Sequence, residues 1–228
     1  MAESATTQTI ATGFLAALDE PERADLMQRA HRRRYRRGAT VFHEGDRSDR
    51  VLLVLSGRLK VASVRPDGGE DVVAIVGPGE LLGELSAIDG EPHSCDATAL
   101  EAVEVVVVPS EEFNAFMASR PDVALRLLRT VTRRLRDADR KRVEFGAHDT
   151  LGRVAARLVE LADRYGEPAR DGVLITLPLS QEELAGWTGS SREAVGKALH
   201  ALRGLGWVRT ERRRITVLAM EPLRRRSM

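Results

Sequence analysis

The fold of the C-terminal part is decided by SQEELAGWTGSSREAVGKALHAL, residues 180–202. Ser180 and Glu183 have the spacing of a capping box, in which each side chain accepts a hydrogen bond from the other residue's backbone, so a helix begins here. Gly189 predicts a tight turn, because glycine adopts a positive φ without strain. A second helix follows from Ser191. The pattern predicts a helix-turn-helix.

The second predicted helix has an apolar face and a polar face. The apolar residues at helical spacing, which predict the buried face, are Val195, Ala198, Leu199 and Leu202. The opposite face carries Arg192, Glu193 and Lys197. Arginine and lysine donate to guanine O6 and N7, whereas glutamate accepts from cytosine N4. These three side chains are therefore predicted to contact bases in the DNA major groove.

The two helix N-termini supply candidates for contacts with the DNA backbone. Ser180, Gln181 and Ser191 lie where backbone N–H groups and polar side chains favour a phosphate. Helix capping alone would also explain the two serines, and both roles can coexist. Together these six residues are the predicted DNA-binding site.

The sequence that follows, and the charge balance, are consistent with this interpretation. Residues 209–218 predict a hairpin whose turn contains three arginines at 212–214, the usual position of a wing. Residues 151–228 carry 14 Lys and Arg against 9 Asp and Glu, whereas the preceding part carries 21 against 25. A basic C-terminal third suits phosphate binding, although a solvated basic face would give the same count.

The N-terminal part reads as a β-structure. Short runs of valine, leucine and isoleucine at 51–55, 59–64, 72–76 and 103–108 are separated by glycines. Strands at this spacing with turn signals between them favour a sandwich or barrel. Two short helices over 14–18 and 21–31 are expected before it, and a helix opening at Ser110 after it.

A long helix is predicted from Pro121 to about Glu144. Apolar residues recur there with alternating steps of four and three, interrupted by one arginine, at positions 124, 128, 131, 135, 138, 142 and 145. Such a heptad seam predicts a homodimer paired through the 121–145 helix. Packing on the chain's own barrel is the alternative, and Leu127 is expected to pack in that way. Gly146 is expected to break the helix and form a hinge.

Composition excludes several classes of protein. The chain has 228 residues, of which 43% are hydrophobic and 30% charged, and no apolar run approaches the ~20 residues of a membrane helix. The N-terminus MAESATTQ lacks the features of a signal peptide, so we expect a cytoplasmic location and no membrane contact. The single Cys95 permits no internal disulfide and no iron–sulfur cluster, and the five histidines show no two-ligand spacing. We therefore expect no metal, haem or cluster.

Catalytic motifs are missing as well. The sequence contains no GxSxG, P-loop or GxGxxG in a catalytic context. We therefore expect that the protein is not an enzyme. A nucleotide-binding module whose basic wing contacts a protein partner remains an alternative to DNA binding.

Taken together, these pieces resemble the cyclic-AMP receptor protein/fumarate-nitrate regulator (Crp/Fnr) family of bacterial transcription factors, over about residues 14–217. The resemblance rests on three groups of residues: Gly45 and Gly57; Gly83-Glu-Leu85 with Gly90-Glu-Pro-His-Ser94; and 180–202. It implies an α+β homodimer with an N-terminal cyclic-nucleotide-binding β-roll (jelly-roll-like), a long dimerisation helix and a C-terminal winged helix-turn-helix. The expected domains are 12–120, 121–146 and 147–228.

The same resemblance implies partners and a DNA sequence. Double-stranded DNA and RNA polymerase are the expected partners. In the family, an Arg-Glu-x-x-x-Arg recognition helix goes with palindromic half-sites resembling TGTGA. Lys197 replaces the last arginine here. Lysine still favours guanine, but it lacks the planar, bidentate guanidinium.

A nucleotide pocket is also implied by the resemblance, on Gly83, Glu84, Leu85, His93, Ser94, Ala138 and Asp139. In the family the glutamate accepts from the ribose 2′-OH and an Arg-Ser pair binds the cyclic phosphate. His93 occupies the arginine position, so the charge-assisted fork is lost. Ala138 and Asp139 stand where a threonine and a serine meet the adenine. Alanine offers no hydrogen bond, and the carboxylate suits the N–H groups of guanine.

We expect a nucleotide bound in the roll to modulate DNA binding, and three interpretations of this pocket stay open. It binds cyclic AMP weakly, with His93 in place of arginine. It binds a guanine nucleotide such as cyclic GMP or cyclic di-GMP, which Asp139 would favour. Alternatively, the roll is vestigial and DNA binding is independent of a ligand. Taken alone, His93 would be explained as a surface-loop histidine, and Cys95 is expected to be a small core residue.

Overall fold

The computed structural model describes residues 13–66 and 68–227, apart from the side chains of 141 and 143–147. The described residues form two compact units, which divide within a long helix between Arg136 and Asp137, with residues 67–71 grouped with the second. None of the described helices is long and apolar enough to cross a membrane.

Among the described residues, eight strands form the roll, which lies in the first unit apart from the first two residues of β5. They are β1 (His31–Tyr35), β2 (Thr40–Phe42), β3 (Arg50–Ser56), β4 (Leu59–Val64), β5 (Glu70–Val76), β6 (Leu81–Leu82), β7 (Asp96–Ala99) and β8 (Val103–Pro109). They make two four-stranded sheets, with strand orders β1-β8-β3-β6 and β2-β7-β4-β5. β8 is central, because it pairs antiparallel with β1 on one side and β3 on the other.

The valine run of β8 is buried on both faces of its sheet. Val103, Val105 and Val107 join a core that includes residues of the second sheet, such as Leu59 of β4. Val106 and Val108, which alternate with them, pack in a second core against helices. Side chains alternate along a strand, so a strand covered on both faces is apolar throughout. This explains the uninterrupted run in the sequence.

The helices of the first unit are α1 (Gly13–Ala16), α2 (Glu20–Gln28), α3 (Glu84–Asp89), α4 (Ser110–Ala118) and α5 (Pro121–Ala147), which continues into the second unit. The prediction that a helix extends to His31 is wrong, since His31 pairs with Val107 in the sheet. Ser110 is the first helical residue of α4, and Pro109 precedes it as the cap position.

The expected helix break at Gly146 is also wrong. α5 continues through Gly146 to Ala147, and the interruption falls at His148 and Asp149. An interior glycine weakens a helix by only ~1 kcal/mol relative to alanine, so it does not by itself end one. Asp149 starts the next helix, because its carboxylate accepts from the Gly152 N–H at 2.8 Å.

The predicted seam of α5 divides into a buried and an exposed part. Leu127 is buried against the roll, which confirms that prediction, and Val131 packs against the same core. Leu128 and Leu135 are 59% and 61% exposed. The side chain of the last seam position, Phe145, lies outside the described residues.

The second unit contains α6 (Thr150–Tyr165), β9 (Gly166–Ala169), β10 (Gly172–Ile175), α7 (Gln181–Thr188), α8 (Arg192–Gly204), β11 (Val208–Glu211), β12 (Arg214–Val217) and α9 (Met220–Arg226). Its sheet has the order β11-β12-β10-β9. The α+β class, the roll, the long helix and the winged helix-turn-helix are thus confirmed. α9, which the sequence did not predict, buries Leu223, and its Arg224 forms an exposed ion pair of 2.7 Å with Asp163 of α6.

Candidate functional site

The predicted capping box fixes the start of α7. The Glu183 N–H donates to the Ser180 hydroxyl at 3.1 Å, and the Ser180 N–H donates to the Glu183 carboxylate at 2.7 Å. The Ser180 hydroxyl also donates to that carboxylate at 2.7 Å. The capping prediction is confirmed. Because the hydroxyl proton is already used, Ser180 can donate to a phosphate only if Glu183 releases it.

The turn between α7 and α8 is held by its backbone and by α6. Gly189 has a φ of +55°, the left-handed conformation that the sequence predicted. Arg153 of α6 donates to the Thr188 carbonyl at 2.8 Å and to the Ser190 hydroxyl at 3.0 Å. Arg153 therefore fixes the angle at which α8 leaves the turn, a role that sequence reasoning missed.

α8 separates its apolar residues from its polar residues, as predicted. Ser191 caps it, since its hydroxyl accepts from the Ala194 N–H at 3.1 Å. The four predicted core residues Val195, Ala198, Leu199 and Leu202 are all buried. Arg192, Glu193 and Lys197 are exposed on the other side. The buried face anchors the helix and leaves its polar face open to a ligand.

The polar face forms one shallow depression. It is lined by Gln181, Arg192, Glu193, Gly196, Lys197, His200 and Arg203. The structure thus brings together four of the six predicted DNA-contacting residues, while Ser180 and Ser191 cap the adjoining helices. The depression adds three residues that sequence reasoning missed. Their signal was helical spacing along α8, since Gly196 follows Arg192 by four residues, His200 follows Glu193 by seven, and Arg203 follows Gly196 by seven.

The depression carries a net positive charge, and the ion pair within it is weak. Its lining includes three cations, Arg192, Lys197 and Arg203, and one carboxylate, that of Glu193. The Lys197 ammonium lies 2.8 Å from the Glu193 carboxylate, and the two side chains are 77% and 78% exposed. Such an exposed i,i+4 pair contributes only about 0.3–0.5 kcal/mol, so an incoming polyanion can separate it at low cost. Beyond α8, the arginines of the wing, 212–214, are exposed.

In the first unit, Gly83 and α3 form the centre of the predicted nucleotide pocket. Gly83 has a φ of +82°, and a Cβ there would lie 3.1 Å from the Arg50 carbonyl oxygen and 3.3 Å from Cε1 of His93. Both the backbone conformation and the close approach therefore require glycine. Leu85 and Ser94 are exposed, whereas Glu84 and His93 are buried.

Glu84 has a protein partner. Its side chain is 3% exposed, and its carboxylate accepts from the Arg134 guanidinium of α5 at 2.5 Å. Arg134 also donates to the Leu81 carbonyl at 3.1 Å. Burial raises the pKa of Glu84, and Arg134 opposes that shift. The resemblance assigned Glu84 to a ribose hydroxyl. Here a ribose would have to share the carboxylate with Arg134.

His93 is a core residue, so the surface-loop interpretation is wrong. It is 7% exposed, and its ring stacks on Phe42 with centroids 3.6 Å apart. Its Nδ1 lies 3.3 Å from the Ser86 hydroxyl. Burial lowers the pKa of His93, and Asp46 opposes that effect. The imidazole is therefore neutral near pH 7 and supplies no cation for a phosphate.

The other predicted residues are described within their own elements. Ala138 and Asp139 are exposed on α5, in the part that belongs to the second unit. Cys95 is half-buried beside the core between the sheets, and burial raises the pKa of its thiol. Within residues 13–66 and 68–227, no group of three or more histidine, cysteine or acidic side chains is placed to hold a metal ion.

Sequence reasoning missed both partners inside the roll. Arg134 lies 50 residues from Glu84, and Phe42 lies 51 residues from His93. No local motif links such positions, because the contacts arise only when the sheets and α5 pack. The one available signal was that an arginine on the inner side of a long helix can pair with a buried carboxylate.

Comparisons with known proteins agree with both halves of this description. Residues 32–120 match the cyclic nucleotide-binding domain, and residues 152–226 match the Crp-like helix-turn-helix domain. The chain is 37% identical over 191 residues to the CRP-like cAMP-activated global transcriptional regulator of Mycobacterium tuberculosis, covering 84% of this chain and 85% of that protein. It is 35% identical over 190 residues to the cyclic AMP receptor protein of Thermus thermophilus, covering 83% and 85%.

A solved structure shows the same likeness. The c-di-GMP-responsive global regulator CLP of Xanthomonas campestris superimposes with a TM-score of 0.76 at 25% identity, covering 87% of this chain and 99% of that one. These relatives are transcription regulators, which are not enzymes, so the expectation that this chain is not an enzyme is confirmed. With a cyclic nucleotide-binding domain, a Crp-like helix-turn-helix and relatives of this kind over most of its length, the chain belongs to the Crp/Fnr family of transcription regulators.

Proposed function

We propose that this protein is a homodimeric, sequence-specific DNA-binding regulator that reads palindromic sites with half-sites resembling TGTGA. The observation that carries the proposal is the depression on α8, where Arg192, Glu193 and Lys197 are exposed side by side and Gln181 adjoins them. Arg192 and Lys197 would donate to guanine O6 and N7, and Glu193 would accept from cytosine N4. Ser191 and Gln181 would contact phosphates.

Dimerisation is proposed through α5. Leu125, Leu128 and Leu135 expose 46%, 59% and 61% of their surface on this helix. Large apolar side chains exposed along one helix are typical of a pairing surface. In a two-fold dimer, the recognition helices would enter successive major grooves about 34 Å apart, which makes the operator palindromic. RNA polymerase would be the second partner, and the bacterial cytoplasm, where the chromosome lies, the place of action.

For the roll, we propose that DNA binding does not depend on cyclic AMP. The supporting observations are that the buried His93 ring is neutral and stacked on Phe42, and that Glu84 is already paired with Arg134. A cyclic phosphate would find backbone N–H groups but no charged fork at position 93. The second candidate, a guanine nucleotide, is supported by the exposed Asp139 carboxylate.

Calorimetric titration with cyclic AMP, cyclic GMP and cyclic di-GMP distinguishes these cases. Absence of heat with all three supports ligand-independent DNA binding. Binding of cyclic AMP with a micromolar Kd would mean that His93 and the backbone suffice, and it would contradict the proposal if the bound nucleotide also raised the affinity for DNA. Selective binding of a guanine nucleotide that is lost in Asp139→Ala would establish the second candidate instead.

Fluorescence anisotropy with a labelled palindromic duplex tests the DNA-binding proposal. Glu193→Lys should abolish the preference at one base pair per half-site, because its carboxylate would no longer accept from cytosine; each good base contact contributes about 1–3 kcal/mol of discrimination. Glu221→Lys on α9 is the control with the same change in charge, and Glu221 is exposed and does not line the depression. It should preserve every base preference. An equal loss of affinity on all sequences for Glu193→Lys would refute the base-reading role.

A further inference from the structure

The glycine in the middle of α8 is not required by the folded chain itself. Gly196 lies inside the helix Arg192–Gly204, where glycine is less favourable than alanine because the backbone loses more conformational entropy. A Cβ at this position would have one neighbour within 4 Å beyond its own helical turns, the side-chain oxygen of Gln181 at 3.6 Å. That is an ordinary van der Waals distance. The free protein has room for alanine.

Two other glycines of the same unit are required by the fold, because a side chain at either position would clash with the backbone. A Cβ on Gly166 would lie 2.1 Å from the Ala162 carbonyl oxygen, and one on Gly172 would lie 2.0 Å from the Val217 carbonyl oxygen. Those two positions exclude any side chain. Gly196 has no such neighbour, so the reason for its glycine must be sought outside the folded chain.

The location of Gly196 indicates that reason. It lines the depression, one helical turn from Arg192 on one side and from His200 on the other, and is next to Lys197 in the sequence. All the other residues that line the depression carry polar or charged side chains. Among the described residues that line the depression, Gly196 is the one without a side chain, so an approaching surface would meet its half-buried backbone directly.

We propose that Gly196 is a positioning residue that lets DNA approach the backbone of α8 closely, so that the side chains around it reach their partners. This inference rests on the proposed DNA-binding function. A Cβ would stand about 1.5 Å out from the backbone and would hold the helix away from the groove. Glu193 has the shortest of the proposed base-reading side chains, so its contact depends most on that approach.

The test is Gly196→Ala, with Gly204→Ala as a matched control. Gly204 is the last residue of the same helix, and a Cβ there would meet no atom within 4 Å. Gly196→Ala should raise the Tm by about 2–4 °C, because alanine is the better helix former. It should also weaken binding to the palindromic duplex by roughly tenfold or more, the loss expected when one contact of ordinary strength is broken. Gly204→Ala should leave DNA affinity unchanged.

The outcomes separate cleanly. A loss confined to the palindromic duplex means that the close approach is to base edges, and an equal loss on a random duplex means that it is to the sugar–phosphate backbone; both support the proposal. An unchanged affinity in Gly196→Ala overturns it, and so does a lowered Tm, since the glycine would then serve the fold. If the unaltered chain binds no duplex, the proposed function fails and this inference with it.

Discussion

Replacing Arg134 by methionine leaves the buried carboxylate of Glu84 without its cationic partner and should destabilise the roll. The carboxylate is 3% exposed and its cation is 2.5 Å away. Removing one partner of a fully buried ion pair costs about 3–5 kcal/mol. The Arg134 side chain is 38% exposed, so water can reach part of the vacated space. We therefore expect a smaller loss, about 2–3 kcal/mol in the free energy of unfolding.

The loss should depend on pH in a direction that the structure fixes. Burial raises the pKa of Glu84, and Arg134 opposes this, so removing Arg134 raises the pKa further. The folded variant then binds a proton more tightly than the unfolded chain does. Its penalty is therefore complete above the raised pKa and shrinks as the pH falls through it. The difference from the unaltered chain should be clearly smaller at pH 5 than at pH 7.5.

Urea unfolding followed by far-UV circular dichroism measures this loss. The fluorescence of Trp187 and Trp207, both in the second unit, follows that unit separately. Adding Glu84→Gln to Arg134→Met should recover at least half of the stability, since no buried charge then remains. Arg32→Met is the control, because that guanidinium is 68% exposed beside Glu104 and should contribute less than about 1 kcal/mol. A loss in Arg134→Met that is the same at both pH values, or that Glu84→Gln fails to relieve, would refute this account of the pair.

Three further predictions concern the dimer, the cap and the buried histidine. Introducing Leu128→Glu and Leu135→Glu together should convert the proposed dimer into a monomer, measured by size-exclusion chromatography with light scattering, whereas two methionines at these positions should not. Ser180→Ala should lower the free energy of unfolding by about 1 kcal/mol through loss of the capping box, measured by urea unfolding followed by tryptophan fluorescence. Because burial lowers the pKa of His93, the imidazole is protonated at a higher pH in the unfolded chain than in the folded one. The free energy of unfolding should therefore fall as the pH drops below about 6.5. The slope in that range should flatten in His93→Gln, and an unchanged slope would contradict this assignment.

The parts of the fold that could be predicted from the sequence are those specified by neighbouring residues. The capping box of Ser180 and Glu183, the turn at Gly189 and the apolar spacing of α8 all act within 23 residues, and all three predictions are confirmed. The strand at 103–108 could also be predicted, since valine favours strands regardless of which elements pack against the sheet. Local signals determine local structure, and the proposed DNA-facing surface is built almost entirely from local structure.

The parts that could not be predicted depend on chain segments that meet only in the folded state. β9 has the sequence Gly-Glu-Pro-Ala, which reads as a turn, yet Pro168 is tolerated because β9 is the edge strand of its sheet. The expected break at Gly146 was wrong because one glycine is not enough to end a helix. The interruption comes after Ala147, where Asp149 caps the next helix. Arg134, which pairs with Glu84, and Phe42, which stacks on His93, each lie about 50 residues away in the sequence, and no motif links them.

The two candidate sites differ in how their polar groups are satisfied, and this difference is the physical basis of the proposed function. Around Gly83, the Glu84 carboxylate is neutralised by Arg134 and the His93 ring is packed between Phe42 and the Ser86 hydroxyl. A ligand would have to displace or share contacts that already stabilise the roll. On α8, the exposed charges of Arg192, Glu193 and Lys197 are held at most by a solvent-screened pair. A polyanion would gain contacts there without breaking the fold, so DNA binding follows more directly from this chain than nucleotide binding does.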